Sequence, residues 1–166
     1  MISKKMAAAI GDQINRELYS AYLYLSMADY AEQEGLKGFS VWMQKQAAEE
    51  VTHAMKFHAY LGDQGARAAL KAIDAPPAKF ASPTALFRDS LAHEKKVTAH
   101  IHKLVDLAVA EKDHATQIML QWFVTEQVEE EATASDILAK LERIGDDPRG
   151  LFMVDRELAA RGAGGH

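Results

Sequence analysis

The residues best suited to chemistry in this sequence are a glutamate and a histidine one helical turn apart, Glu50 and His53. They interrupt apolar residues that recur every three or four positions, from Phe39 through Met43 to Phe57, which is the spacing of one face of an α-helix. A buried carboxylate is costly unless a positive charge meets it, and this face carries no lysine or arginine. A metal ion would supply that charge; the alternative is a polar pair at the edge of an ordinary helix face.

Three other apolar stripes with helical spacing are interrupted in the same way. Glu17 interrupts the first of them and Glu94 the second, while Gln127 and Glu130 occupy two core positions of the third. Tyr24 follows Glu17 by seven residues and therefore lies on the same side of its helix. The chain thus places at least one carboxylate on the inner face of each of four helices.

The apolar stripes, together with the residues that start and end helices, predict an all-α protein with no strands. The sequence is 48% hydrophobic, with only 4 prolines in 166 residues. Ser3 is a suitable N-cap, Gly35 a suitable helix stop, and Asp147 followed by Pro148 a suitable helix start. We predict four long helices and a short fifth, over about residues 3–33, 39–61, 84–111, 115–144 and 148–160, then a flexible tail over residues 161–166.

The connections between these helices predict a four-helix bundle with one long crossover. Short links join the first helix to the second and the third to the fourth, which makes each pair antiparallel neighbours. Residues 66–83 contain Pro76, Pro77 and Pro83, which exclude a continuous helix, and a segment of this length can span the whole bundle. In this arrangement the polar interruptions fall at one height and form one buried layer.

Four carboxylates in an apolar layer repel one another, and without metal some of them must take up protons. Two divalent cations would balance the charge of Glu17, Glu50, Glu94 and Glu130. Carboxylates with one imidazole, that of His53, suit iron(II), manganese or zinc. Two ions close together need a shared ligand, and Glu50 is placed to bridge them. The alternative is that the acids reach water because the helices are shifted.

Further acids border this layer on the second and fourth helices. They are Glu49, next to Glu50, and Glu126 and Glu129, which lie one helical turn apart. Runs of glutamate are usually solvated helix faces, but this position also suits a further cation site at the edge of the first.

Composition excludes several other classes of protein. There is no cysteine, which rules out disulfides and thiolate metal sites, and a net charge of -5 without a basic patch disfavours nucleic acid as a partner. We identify no signal peptide and no membrane span, and expect a soluble, cytoplasmic protein. The short fifth helix carries Leu151, Phe152, Val154 and Leu158, more apolar surface than it can bury alone, so we expect it to dock on another subunit.

With these residues in place the chain resembles the bacterial non-haem ferritins over nearly its whole length. The resemblance is carried by the crossover and by a specific set of residues: Glu17 with Tyr24, Glu49-Glu50-x-x-His53, Glu94, and Glu126-Gln127-x-Glu129-Glu130. It implies an iron-storage protein that oxidises Fe(II) to Fe(III) with dioxygen or hydrogen peroxide at a carboxylate-bridged di-iron ferroxidase centre. It also implies a hollow shell of twenty-four subunits that holds ferric oxyhydroxide, with the fifth helix lining four-fold axes.

The resemblance also implies a role for each site residue. Glu17, Glu50 and His53 would hold one iron, with Glu50 bridging to a second iron held by Glu94 and Glu130. Gln127 would be a nearby polar partner, and Tyr24 would supply an electron during oxygen reduction, with Trp122 a possible second donor. The residues that match the family's third iron site are Glu49, Glu126, Glu129 and Glu130.

Three features of the sequence depart from the patterns of related proteins. Bacterioferritins repeat Glu-x-x-His on the fourth helix, whereas this chain has Gln127-x-x-Glu130, so the second iron should be held more loosely. Haem-binding members have methionine after the bridging glutamate, and Val51 at that position argues against haem. Animal ferritins have acidic residues in the three-fold channel where this chain has Gln117 and Leu120, which puts the usual route of iron entry in doubt.

Two other functions are compatible with a di-iron bundle. One is a di-iron oxidase or peroxidase acting on a small organic substrate, which would need room beside the metals and which we expect to be a dimer. The other is a shell subunit that only nucleates mineral. No gap of small residues at the layer favours the oxidase, and the complete ligand set disfavours a shell that only nucleates mineral. The ferroxidase is therefore our leading hypothesis.

Overall fold

Five helices follow one another along the chain in a computed structural model that describes residues 1–161. They are α1 (Lys4–Gln33), α2 (Lys37–Asp63), α3 (Pro83–Ala110), α4 (His114–Ile144) and α5 (Pro148–Ala160). Residues 1–161 contain no strand. The predicted all-α fold is therefore confirmed.

The ends of the helices follow from local hydrogen bonding. The Ser3 hydroxyl accepts a 3.0 Å hydrogen bond from the backbone N–H of Met6, and Ser82 caps α3 in the same way. Gly35 has a φ of +75°, the left-handed conformation that ends a helix at little cost for glycine. The cap at Ser3 and the helix stop at Gly35 lie where the sequence predicts them.

α1 and α3 each begin one residue away from the predicted start, and the starts of α2 and α4 also differ from the prediction. α2 begins at Lys37, two residues before the predicted start. α4 begins at His114 because the Asp113 side chain accepts a 3.0 Å hydrogen bond from the backbone N–H of Thr116 and so acts as the N-cap. Both differences lie within the usual uncertainty of helix ends.

The connection between α2 and α3 runs beside α1, as expected for a crossover. The Asn15 side chain donates to the carbonyl of Ala69 at 3.0 Å and accepts from the N–H of Lys71 at 3.0 Å. Further along α1, the Ser26 hydroxyl donates to the carbonyl of Pro77 at 2.5 Å. These hydrogen bonds satisfy backbone groups that a non-helical segment cannot pair internally.

The core divides into two apolar clusters at opposite ends of the bundle. One end is built around Met27, Phe39 and Phe87, and the other around Ile10 and Phe57. The helices that contact each other most are α1 with α2 and α3 with α4. Between the two clusters lies a layer of buried polar side chains.

α5 packs on its own chain rather than projecting freely. Val154 and Leu158 are buried in the first of the two clusters, and Asp155 Oδ1 accepts a 3.0 Å hydrogen bond from the N–H of Phe39. One face of α5 is therefore buried within its own chain, and the expected contact of α5 with another subunit stays a prediction. Phe152 and Met153 remain 62% and 70% exposed.

The C-terminal segment was predicted to be a flexible tail from residue 161. Arg161 instead has a defined position against α2, where its side chain contacts Gln46 and Glu49. Residues 162–166 lie outside the part of the chain that the structure describes. None of the helices within residues 1–161 has the length and hydropathy needed to span a lipid bilayer.

Candidate metal centre

The four long helices bring one carboxylate each into the polar layer between the two apolar clusters. Glu17, Glu50 and Glu94 are each 1% exposed, and Glu130 is 8% exposed. None of these carboxylates forms an ion pair with lysine or arginine among the described residues. Within residues 1–161, the layer therefore holds acidic groups that are not neutralised by lysine or arginine.

The first group with the geometry of a metal site joins α1 and α2. Glu17, Glu50 and His53 each offer a ligand atom, and the three atoms lie within 4.8 Å of one another. His53 Nδ1 lies 3.2 Å from Glu50 Oε2. Gln13 Nε2 donates to Glu17 Oε1 at 2.7 Å, whereas Glu17 Oε2 is buried with no hydrogen-bond partner. A buried oxygen of this kind is costly unless a cation lies beside it or a proton is shared with Glu50.

A second group joins α2 and α4 and uses the other nitrogen of the same imidazole. His53, Glu126 and Glu130 place ligand atoms within 4.8 Å of one another, and His53 Nε2 lies 3.8 Å from Glu126 Oε1. The His53 ring therefore stands between the two groups. Trp122 contacts this ring edge to face, with a centroid distance of 5.5 Å.

Glu94 is buried in the same layer but belongs to neither group. Its Oε1 accepts a hydrogen bond from the Tyr24 hydroxyl, and its Oε2 accepts one from Gln127 Nε2 at 3.1 Å. Because the Tyr24 hydrogen is used in this way, the Ser90 hydroxyl donates to Tyr24 Oη across 3.0 Å. Tyr24, Gln127 and Ser90 thus hold Glu94 in one orientation.

Burial makes this layer favour protons when no cation is present. It raises the pKa of Glu17 and of Glu50 well above the ordinary value, and the carboxylates of Glu50 and Glu94, respectively, raise them further. Burial also raises the pKa of Glu94. The pKa of Glu130 rises to about 8, through burial first and the nearby Glu94 second. Cations entering the layer would replace protons rather than meet a fully ionised site.

The remaining predicted acids line a cavity of about 350 Å³ on the α2–α4 side of the bundle. Glu49 is partly buried there, and Glu129 is exposed. Two basic residues border the cavity: Lys56, whose Nζ lies 3.4 Å from the centroid of the Trp122 ring, and Arg161. The cavity leads from solvent to His53 and Glu130.

Sequence reasoning gave no role to several side chains that contact the predicted site residues. Gln13 and Gln46 are both fully buried, and they lie on helix faces that point to the layer. Gln46 lies on the same apolar stripe as Glu50 and interrupts it as Gln127 interrupts its own stripe. Its place in the polar layer could therefore have been predicted from the sequence. The contacts of Ser90 and Arg161 could not have been predicted in this way, because they depend on how α3 and α5 pack.

Comparison with known proteins places this geometry in a family. Residues 7–144 match the family described as ferritin-like domain. Over 161 residues the chain is 43% identical to a bacterial non-heme ferritin of Staphylococcus epidermidis, with 97% of each chain covered. It is 45% identical to a bacterial non-heme ferritin of Bacteroides fragilis, with 97% of this chain and 100% of the relative covered.

A solved structure shares both the sequence and the fold. It is an open pore ferritin from the hyperthermophilic archaeon Archaeoglobus fulgidus, 52% identical, with a TM-score of 0.96 and with 97% of this chain and 99% of that chain covered. A closed form of the same ferritin, made by site-directed mutagenesis, also has a TM-score of 0.96. The chain therefore belongs to the ferritin family.

Proposed function

We propose that this protein stores iron, oxidising Fe(II) to Fe(III) in the polar layer and depositing ferric oxyhydroxide inside a hollow protein shell. The observation that carries the proposal is the group of Glu17, Glu50 and His53, in which a buried Glu17 oxygen has no partner. Each ferrous ion would give up one electron, and dioxygen or hydrogen peroxide would accept the electrons. Iron is here the substrate and then the stored product.

The proposed roles follow the positions of the ligand atoms. Glu17, Glu50 and His53 bind the first ferrous ion, and Glu50 bridges to a second ion bound by Glu94 and Glu130. Both Glu94 oxygens already accept a hydrogen bond, and each keeps a second lone pair with which it can bind the ion.

Two further side chains would act beside these ligands. Gln127 stays as a hydrogen-bond donor to Glu94. Tyr24, whose hydroxyl is bonded to the same carboxylate, supplies an electron to the oxidant. This position lets the phenol pass its electron to the layer without itself entering the first group of ligands.

We place the third cation site in the cavity between α2 and α4. Glu126 and Glu130 are close enough to share a cation, and Glu49 and Glu129 border the same cavity. A neutral His53 has only one free lone pair, and it is used at the first site. A cation there would lie between the buried layer and solvent. This position suits an ion leaving the oxidation site.

Assembly into a shell is supported by apolar surface that a single chain leaves uncovered. Tyr22, Leu25, Val51 and Met55 are each about half exposed, at 51%, 51%, 45% and 56%, and three of them line one groove between α1 and α2. Exposed apolar patches of this kind are typical of subunit contacts. On the family's pattern the shell has twenty-four subunits. The absence of haem and a cytoplasmic location stay predictions.

The test is the variant Glu50→Ala compared with Glu32→Ala, which removes an exposed glutamate of α1. Iron(II) is added in air, and oxidation is followed by absorbance and by oxygen consumption. We expect Glu50→Ala to lose rapid oxidation while both variants elute as the same large assembly as the parent. Normal oxidation in Glu50→Ala would overturn the proposal. A dimer in size-exclusion chromatography would favour a di-iron oxidase, and a large assembly that consumes no oxygen would favour a shell that only nucleates mineral.

A further inference from the structure

Arg161, the residue that follows α5, reaches the rim of the cavity between α2 and α4. Its Nη2 donates to Glu49 Oε2 at 2.9 Å and to Gln46 Oε1 at 2.9 Å. Its guanidinium carbon lies 4.3 Å from the centroid of the Trp42 ring, a favourable cation–π contact. Three separate contacts therefore hold the guanidinium in place.

The guanidinium is also largely removed from water. The Arg161 side chain is 19% exposed, against 32% for Glu49, and its Nη1 is buried with no hydrogen-bond partner among residues 1–161. A buried donor left without a partner is unfavourable. The contacts of Nη2 and of the Trp42 ring must therefore offset this cost.

Glu49 does not belong to either group of potential metal ligands, although its neighbours in the cavity do. His53, Glu126 and Glu130 gather within 4.8 Å, while a Glu49 oxygen is bonded to Arg161. A cation that recruits Glu49 has to compete with this ion pair. From these positions we propose that Arg161 is a positioning residue that holds Glu49 away from the third cation site, weakens cation binding there, and swings aside when the site fills.

Arg161 also reaches a buried ligand candidate through Gln46. A guanidinium only donates hydrogen bonds, so the atom of Gln46 that faces it must be the oxygen. The amide nitrogen then points the other way and donates to Glu130 Oε2 at 2.6 Å. Movement of Arg161 would free this amide to rotate, which links the third site to the carboxylate that it shares with the di-iron layer.

This inference rests on the proposed third site, and zinc tests it without any oxidation. Zinc is titrated into the assembled, metal-free protein by calorimetry, and the occupied positions are located by anomalous diffraction. The variants are Arg161→Gln and, as a matched control on the same helix, Arg156→Gln, which removes an exposed arginine of α5. We expect Arg161→Gln to bind the third zinc about fivefold more tightly, the scale of a partly exposed ion pair, and Arg156→Gln to match the parent.

A double-mutant cycle identifies the residue through which Arg161 acts. In a Glu49→Gln background Arg161→Gln should change the third-site affinity by less than twofold, because the ion pair is already absent. An unchanged affinity in Arg161→Gln alone, or an equal change in both backgrounds, would overturn the inference. If the parent itself binds no zinc at Glu126 and Glu130, the proposed third site fails instead.

A structure of the zinc-loaded parent gives a second test that needs no variant. With the third site filled, the distance between Arg161 Nη2 and Glu49 Oε2 should lengthen beyond hydrogen-bonding range. A filled third site with this contact kept at its present 2.9 Å would overturn the inference even if Arg161→Gln did not assemble.

Discussion

Gln46 Nε2 donates a 2.6 Å hydrogen bond to Glu130 Oε2, which joins α2 to α4 through the middle of the bundle. The donor favours the ionised form of Glu130, and so opposes the burial that raises the pKa of this carboxyl to about 8. Metal ions bind the ionised carboxylate. Gln46 should therefore support cation binding although it need not touch the cation.

The variant Gln46→Leu should weaken binding of zinc or ferrous ion at Glu130 by about tenfold, as is usual when a group that orients a metal ligand is removed. Calorimetry on the metal-free protein measures the change. Gln44→Leu is the control, since Gln44 lies on the same helix but is exposed and bonds only to Ser40 Oγ at 3.0 Å. Equal affinities in the two variants would show that the hydrogen bond does not matter for binding.

The variant Tyr24→Phe separates cation binding from electron supply. It keeps the ring and removes the hydroxyl that bonds to Glu94, so we expect near-normal zinc stoichiometry and a loss of about 1 to 3 kcal/mol of stability from the unpaired Glu94 oxygen. Fewer electrons then reach the oxidant from the protein. Electron paramagnetic resonance after iron addition in air should show a tyrosyl signal in the parent and none in Tyr24→Phe.

Tyr30→Phe controls for the loss of a phenol elsewhere on α1. Tyr30 lies on α1, six residues after Tyr24. It is partly buried and packs edge to face with Phe80 at a centroid distance of 5.5 Å. Its variant should keep the radical signal of the parent. A signal of full size in Tyr24→Phe would remove Tyr24 from the electron path.

The buried carboxylates could be predicted because a glutamate on an apolar helical stripe is a strong and local signal. Glu17, Glu50, Glu94 and Glu130 each stand where the repeat calls for an apolar side chain, and the lengths of the connections place them at one height. Fold and layer both follow from this periodicity. No contact between distant residues had to be known.

The orientation of individual side chains could not be predicted in the same way. Glu94 turns toward Tyr24 and Gln127 and stays out of both metal groups. Its orientation is set by the hydrogen bonds that it accepts from these two residues, which lie on α1 and α4. The position of Arg161 depends on the turn at Gly145, where φ is +55°, and on the packing of α5 against α2. Such details are set by tertiary contacts that the repeat of a single helix does not contain.

Cation binding should release protons below about pH 8. Glu130 has a folded-state pKa of about 8 against an ordinary 4.5, so at pH 7 it is mostly protonated and must lose its proton to bind a metal. Calorimetry of zinc binding in buffers of different ionisation enthalpy counts the protons released. Glu130→Gln should release about one proton fewer per subunit at pH 7, and an unchanged count would contradict the raised pKa.

The same pKa values predict how the stability of the metal-free protein depends on pH. A carboxyl whose pKa is raised on folding favours the folded state below its unfolded pKa, and this contribution is lost as pH rises toward the folded value. The thermal unfolding midpoint of the metal-free protein should therefore decrease as the pH rises from about 5 to about 8. Zinc should flatten this slope, because bound cations replace the protons. A midpoint that rises with pH over this range would contradict the argument.

The docking of α5 depends on the absence of a side chain at Gly38. A Cβ at this position would lie 1.7 Å from the carbonyl oxygen of Asp155 and 2.6 Å from its carbonyl carbon, so backbone would have to move. We expect Gly38→Ala to undock α5 and to expose Val154 and Leu158, at a cost of about 1.5 to 3 kcal/mol for each side chain. Hydrogen exchange should show α5 amides that lose protection while those of α1 keep it.

Gly62→Ala is the matched control on the same helix, because a Cβ there meets nothing within 4 Å. It should leave α5 protected and stabilise α2 by up to about 1 kcal/mol, the difference in helix propensity. Undocking α5 also withdraws Arg161 from Glu49, so Gly38→Ala should bind the third zinc more tightly, as Arg161→Gln does. Full protection of α5 in Gly38→Ala would show that the two backbones can separate without undocking, and tight zinc binding would then no longer be expected.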